Sequence, residues 1–178
     1  MLAGLQAGAA GLPFSPVLGF AGSDYEKVRA DFRRLADPYT GKEIFVVPAI
    51  VPDWAAIHAI RGDENGNAIC SARESDRLAV LAAKRTVVTV EEIVPADAFV
   101  ARPGEIFLSA LHIDLVVVAP RGAHPGACVN AYGIDRAHVE KYLAASKTAE
   151  GFSSYLAEYV MGMTEERYRA ATSAAEVA

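Results

Sequence analysis

Two adjacent carboxylates, Glu91 and Glu92, close a β-branched run, Thr86–Val90. Paired carboxylates at a strand end can take split pKa values and share acid and base work. Neighbours in a strand point to opposite faces, however, so Glu91 and Glu92 cannot serve one site while the strand lasts. One is expected to cap or to pair with Lys84 or Arg85 and the other to face solvent, and neither is read as a nucleophile. His124 stands in Gly122-Ala123-His124-Pro125-Gly126, just after the apolar run Leu111–Ala119, read as a central strand. Open α/β sheets bind ligands at strand carboxyl ends, which makes His124 the foremost histidine candidate. The competing reading is a hydrogen-bonded structural group. His58 and His112 fall in apolar strands and are read as satisfied core residues, and His138 as a helix-surface residue. Gly11–Ser23 is the other candidate segment. Its glycines permit close backbone approach to a ligand, Phe14 could wall a pocket, and Ser23 at a helix N-terminus could receive a carboxylate or phosphate. The plainer alternative makes Ser23 an N-cap and Phe14 a core plug. The candidate binding set is therefore Gly11, Pro13, Phe14, Gly22, Ser23 and His124.

Other chemistry is weakly signalled. Arg33 and Arg34, or Lys84 and Arg85, could meet phosphates, but solvated pairs explain them as well. Asp63, Gly66 and Asn67 read as turn residues that bond local backbone. Gly-x-Gly-x-x-Gly and P-loop patterns are absent from the sequence. Cys70 and Cys128 are far apart and form no Cys-x-x-Cys, so both are expected as buried thiols in a reducing cytoplasm, with no metal site.

These residues need positioning elements. Residues 1–22, rich in Gly, Ala and Pro, are expected to form an ordered loop with apolar anchors rather than a clean helix or strand. Ser23 and Glu26 have capping-box spacing, and Tyr25, Val28, Phe32 and Leu35 give the following helix an apolar stripe. Asp37–Gly41 is a turn. Ile44–Ile50 and Ala55–Ile60, separated by Pro52-Asp53, read as strands covered on both faces. Ser75–Lys84 is a helix, Thr86–Val90 a strand, Ile106–Leu108 a brief strand and Leu111–Ala119 the most apolar strand. After Gly133 the pattern is helical: Asp135–Ser146, Gly151–Gly162, and a last helix capped by Thr164 that fades into Ala175–Ala178. Phe152, Tyr155 and Tyr159 are read as helix-face core. Strand–helix–strand alternation predicts an α/β fold, a largely parallel sheet flanked by helices with a C-terminal helical cover. One domain over residues 1–178 is expected.

Composition limits the functional classes. The 178 residues are 52% hydrophobic with a formal net charge of -5, enough for a sizeable core and too apolar for a disordered chain. No Lys/Arg block suggests nucleic-acid binding. No apolar run is long enough to span a bilayer, and the start lacks a secretory n-region. A cytoplasmic protein with neither nucleic-acid nor membrane partner is expected.

An ordered set of segments resembles the family I coenzyme A transferases. Gly11-Leu12-Pro13-Phe14-Ser15-Pro16 followed by Gly22-Ser23-Asp24, Asp63-x-x-Gly66-Asn67, Ala82–Lys84 running to Glu91–Val94, Pro103-Gly104, and Gly122–Pro125 with Tyr132 and Gly151-Phe152 are similar in order to A-type subunits of the glutaconate transferases. Gly62 stands where the family usually has Ala. The resemblance implies the α/β fold shared with sugar-phosphate isomerase-like proteins. It implies transfer of CoA between an acyl-CoA and a carboxylic acid through a glutamyl-CoA intermediate. Coenzyme A is then a substrate, and no cofactor is expected to be bound permanently. In the glutaconate type the glutamate belongs to the B-type subunit, so no catalytic residue is assigned here and a B-type partner in a hetero-oligomer is expected. The resemblance also implies that the N-terminal portion of a full A-type subunit is lacking. Alternatives are an acyl-CoA or ring-opening hydrolase subunit of the same family, and a non-catalytic partner-binding module.

Overall fold

The computed structural model describes residues 1–20 and 22–173, apart from the Glu26 and Ser173 side chains, and divides into two units, Met1–Ala119 and Pro120–Ala178. Among the described residues, every strand lies in the first unit. In chain order its elements are α1 (Leu2–Ala9), β1 (Phe14–Val17), α2 (Tyr25–Val28), β2 (Arg33–Ala36), β3 (Glu43–Pro48), β4 (Ala55–Ala59), β5 (Arg61–Asp63), β6 (Ala68–Ser71), α3 (Asp76–Ala82), β7 (Thr86–Val90), β8 (Ile93–Val94), β9 (Glu105–Leu108), a 3-10 turn (Ala110–His112) and β10 (Leu115–Val118).

The α/β expectation holds, with a parallel sheet flanked by helices. That sheet has the order β10-β7-β4. Ala55 of β4 aligns with Thr86 of β7 through to Ala59 with Val90, and Leu115 of β10 aligns with Val87. The strand expected to be central, Leu111–Ala119, lies at an edge and is shorter, because residues 110–112 form a 3-10 turn. β7 is the middle strand, and its alternate residues Thr86, Val88 and Val90 are buried. Its core partners include Ala59, Ala68, Cys70, Val80 and Leu108. Two further sheets carry antiparallel pairs, β1-β3-β2 and β8-β5-β6-β9. β3 buries only alternate residues, Phe45 and Val47, rather than both faces.

The start of the chain differs from expectation. Residues 2–9 form α1 and 14–17 form β1. Tertiary packing overrides low propensity here. A Cβ on Gly8 would stand 2.2 Å from the Ile50 carbonyl oxygen, so the glycine lets α1 lie directly on the chain after β3. The helix expected from Ser23 is also shortened. It begins after Asp24 and ends at Val28, without a side-chain cap bond. Ser23 Oγ instead donates to the Phe20 carbonyl at 2.8 Å, and the Glu26 half of the expected capping box lies outside the described residues. Phe20, Tyr25 and Phe32 cluster, with centroids 4.7 to 6.0 Å apart. Leu35, expected on the helix stripe, falls in β2 opposite Ile44 of β3.

The second unit is helical: α4 (Arg136–Ala145), α5 (Ala149–Tyr159) and α6 (Glu165–Ser173). Each start is capped as its residue type dictates. The Asp135 carboxylate accepts from His138 N–H at 2.9 Å, Thr148 Oγ1 from Gly151 N–H at 3.0 Å, and Thr164 Oγ1 from Arg167 N–H at 3.3 Å. Tyr142, Phe152, Tyr155 and Tyr159 pack between α4 and α5. The tail Ala175–Ala178 lies outside the described residues. Among the described residues, no helix is long and apolar enough to cross a membrane.

Candidate functional site at the ends of the parallel strands

Parallel register builds the first cluster. His58 of β4 aligns with Thr89 of β7, so the two side chains share a face. Glu91, two residues beyond Thr89, returns to that face. His58 Nδ1 lies 2.8 Å from Thr89 Oγ1 and His58 Nε2 lies 2.5 Å from Glu91 Oε1. The His58 and Glu91 side chains are 12% and 17% exposed. Glu92 is on the solvent side, as alternation requires. Neither glutamate takes the basic partners expected: Lys84 pairs with Asp53 at 2.8 Å, and the Arg85 guanidinium lies over the Trp54 ring.

Asp76, at the start of α3, belongs to the same neighbourhood. Burial pushes its carboxyl above the usual range, Glu74 adds to the rise, and His58 opposes it. A carboxyl so displaced can hold a proton at higher pH than a surface acid. Burial pushes the Cys70 thiol up to about 11, with Asp76 adding to the effect. Cys70 is therefore a core thiol rather than a nucleophile. Glu74, Ser75 and Arg77, which flank Asp76, line a cavity of about 390 Å³ with Leu2, Gln6 and Leu78. A second cavity, about 250 Å³, includes Thr86, His112 and Asp114 at the amino ends of β7 and β10. Its floor is fixed by Thr86 N–H donating to the Asp114 carboxylate at 2.7 Å. His112 is exposed there, in the 3-10 turn rather than in a strand core. We favour the carboxyl ends, since ligands of open α/β sheets gather there.

The neighbouring polar residues are scaffolding. Asp63 accepts from Asn65 N–H at 2.9 Å and from Asn67 N–H at 2.8 Å, and its other oxygen accepts from Asn67 Nδ2 at 2.7 Å. Burial opposes the charge on Asp63, but the Asn67 and Asn65 bonds outweigh it and hold the carboxyl below its ordinary value. Asn67 Oδ1 accepts from Ala110 N–H at 2.9 Å, and Gly66 takes φ 83° as the turn demands. Arg61 and Glu105 form a buried two-pronged pair at 2.6 and 3.1 Å, with Arg61 also donating to the Val100 carbonyl.

The sequence-derived candidates divide between the units. Gly11 (φ 66°) and Pro13 lead from α1 into β1, where Phe14 opens the strand opposite Pro48 with 41% of its surface exposed. Gly22 (φ 80°) and Ser23 lie before α2. His124 belongs to the second unit and its ring is buried. His124 Nδ1 is 2.8 Å from Tyr168 Oη, and Nε2 is 3.1 Å from Asp135 Oδ2. His138, expected on a helix surface, is buried as well, at 7% exposure, with Nε2 2.8 Å from Tyr155 Oη. Sequence reading missed Thr89 and Asp76. Aligning His58 with Thr89 across two parallel runs would have found Thr89, whereas nothing local marks Asp76.

The coenzyme A transferase family model matches residues 1–119, the whole first unit. The chain belongs to the coenzyme A transferase family. It is 34% identical over 157 residues to the A-type subunit of 3-oxoadipate CoA-transferase from Pseudomonas knackmussii, covering 88% of this chain and 55% of that one. It is 33% identical over 178 aligned positions to the cholesterol ring-cleaving hydrolase IpdA subunit of Rhodococcus jostii, covering 94% and 60%. Among solved structures it matches glutaconate coenzyme A-transferase of Acidaminococcus fermentans at TM-score 0.82 and 29% identity, over 96% of this chain and 59% of that chain. The chain thus spans little more than half the length of these relatives.

Proposed function

We propose that this chain acts as an A-type subunit of a CoA-transferase, moving CoA between an acyl-CoA and a carboxylic acid. The observation that carries the reading is the family match across the entire first unit, joined to 34% identity with the A-type chain of a named transferase. In the proposed reaction a glutamate of a B-type partner attacks the thioester carbonyl. The C–S bond breaks, leaving CoA thiolate and an acyl-glutamyl anhydride. The thiolate then attacks the glutamyl carbonyl, releasing the acyl acid and leaving glutamyl-CoA. The acceptor acid takes the CoA by the reverse steps. This is covalent catalysis by a carboxylate. Glu91 is an unsuitable nucleophile because its carboxylate is held by the His58 ring at 2.5 Å.

Within that scheme the chain supplies walls and polar positioning. Gly11, Pro13, Phe14, Gly22 and Ser23 are proposed to border the substrate pocket, and Arg77 beside the 390 Å³ cavity offers a cation for a carboxylate or phosphate. His124, with its ring buried, is proposed to hold its own loop rather than to touch substrate.

One observation favours a second reading. Glu91, His58 and Thr89 form a carboxylate–imidazole–hydroxyl chain at the strand ends, a polar cluster suited to positioning a water. With water in place of the acceptor acid, the same subunit would serve thioester or ring hydrolysis, as the name of the Rhodococcus relative suggests for that protein.

The test is co-expression with a B-type chain and assay of the purified complex with glutaconyl-, 3-oxoacyl- and acetyl-CoA, with and without added acid. Acid-dependent CoA transfer by the complex, with none by the chain alone, is expected. Cleavage without an acceptor would select the hydrolase. A stable but inert complex would overturn both readings and leave a binding module.

A further inference from the structure

The histidines of the second unit raise a separate question. His124 sits in the loop before α4, Asp135 caps α4, and His138 is one turn into it. One ligand atom from each lies within 4.8 Å of the other two. The His124 side chain is 1% exposed and that of Asp135 14%. Two imidazoles and a carboxylate are thus gathered in one small, largely covered space.

We propose that His124, Asp135 and His138 form a binding site for a divalent transition metal, with zinc the best match. The donor set is two imidazoles and one carboxylate, which suits borderline metals of the zinc type. Zinc holds nitrogen and oxygen donors at about 2.0–2.2 Å, so two donors on one tetrahedral ion stand roughly 3.3 Å apart. His124 Nε2 and Asp135 Oδ2, at 3.1 Å, already have nearly that spacing. The third donor, within 4.8 Å of the other two, must close by up to about 1.5 Å. The rings also approach each other suitably, with centroids 5.1 Å apart and edge to face.

The surroundings resemble the outer shell of a metal site. Ligating histidines commonly engage their second nitrogen with a fixed partner that sets ring orientation. Here Tyr168 Oη meets His124 Nδ1 at 2.8 Å and Tyr155 Oη meets His138 Nε2 at 2.8 Å. Those contacts leave His124 Nε2 and His138 Nδ1 as the coordinating atoms. Three protein ligands leave a fourth position for water.

The experiment uses the full chain without a histidine tag, so it does not depend on any transferase partner. Zinc is added, excess is removed by gel filtration, and bound metal is counted by plasma mass spectrometry. Cobalt(II) is used as the spectroscopic probe. About one zinc per chain is expected, with a cobalt absorption band typical of nitrogen and oxygen ligands. Asp135→Asn retains an oxygen to cap α4, and His138→Gln removes one imidazole. Each is expected to weaken zinc binding at least tenfold while far-UV circular dichroism stays unchanged. Tyr155→Phe keeps all three ligands and is expected to weaken binding about tenfold through lost ring orientation. Failure of the wild-type chain to retain zinc would overturn the proposal. So would zinc retained undiminished by folded Asp135→Asn, or a cobalt–thiolate band placing the metal on Cys70 or Cys128.

Discussion

Histidine meets a carboxylate twice in this chain, with different consequences. His58 and Glu91 meet at 2.5 Å at the open ends of parallel strands, where both side chains retain some contact with solvent. His124 and Asp135 meet at 3.1 Å inside the helical unit, where Asp135 also caps α4 and the histidine is sealed. In the first pair, strand register puts two side chains on one face. In the second, the carboxylate serves a helix start and an imidazole at once. Residue type alone does not separate a pair that touches solvent from one embedded in packing. Solvent access and backbone obligations do.

Asp135→Ala tests the embedded pair with the largest expected effect on stability. Loss of the cap costs about 1 kcal/mol, and stranding a buried imidazole adds about 1–3 kcal/mol, read by urea unfolding of the second unit. Loss of under about 0.5 kcal/mol would remove the contrast. Glu91→Gln tests the open pair. It preserves shape but leaves a partly buried imidazole with a weaker partner, so a stability loss of about 1 kcal/mol is expected, and under the hydrolase reading turnover of the reconstituted complex falls about 100-fold. Full turnover in that variant would move the site away from the strand ends.

Acid tests two carboxylates that lie outside both histidine pairs. Asp63 and Glu105 lie below their ordinary pKa values. For Asp63, local amide bonds outweigh burial, and for Glu105 the Arg61 side chain is the leading cause. A depressed folded pKa gives stability that is present above the unfolded value, about 4, and is lost as pH falls through the folded value. Unfolding midpoints of the first unit should therefore hold from pH 7 to about 5 and fall below about 4, and Glu105→Gln should flatten that drop. The smallest effect belongs to Lys84→Ala. The Lys84–Asp53 pair is exposed on both sides, so the midpoint should stay within experimental error.

Much of the parallel sheet was legible from sequence. The run Thr86–Val90 became β7 without a change of bounds, because five β-branched residues have few other good conformations. The cap at Thr164 was legible because capping is local chemistry. Residues 2–9 were not, since the helix there depends on Ile50 meeting Gly4 and Gly8, a contact some forty residues distant. The separation of Glu91 from Glu92 followed from strand alternation, but the partner of Glu91 did not. Lys84 is near in sequence, whereas His58 is near only once β4 and β7 align. His138 was misjudged for the same reason: its spacing on α4 suited solvent until Tyr155, Tyr159 and Tyr168 packed around it.

The Arg61–Glu105 clasp bears on how the chain responds to ionic strength. Its exposed counterparts, Arg34 with Glu43 and Lys141 with Glu158, lie in water, where 1 M salt shrinks the Debye length to about 3 Å. Mobile ions cannot enter between Arg61 and Glu105, whose side chains are almost wholly covered. Added salt therefore screens the exposed pairs and leaves the clasp between β5 and β9 untouched, so a salt titration reads the surface charges and not the buried pair.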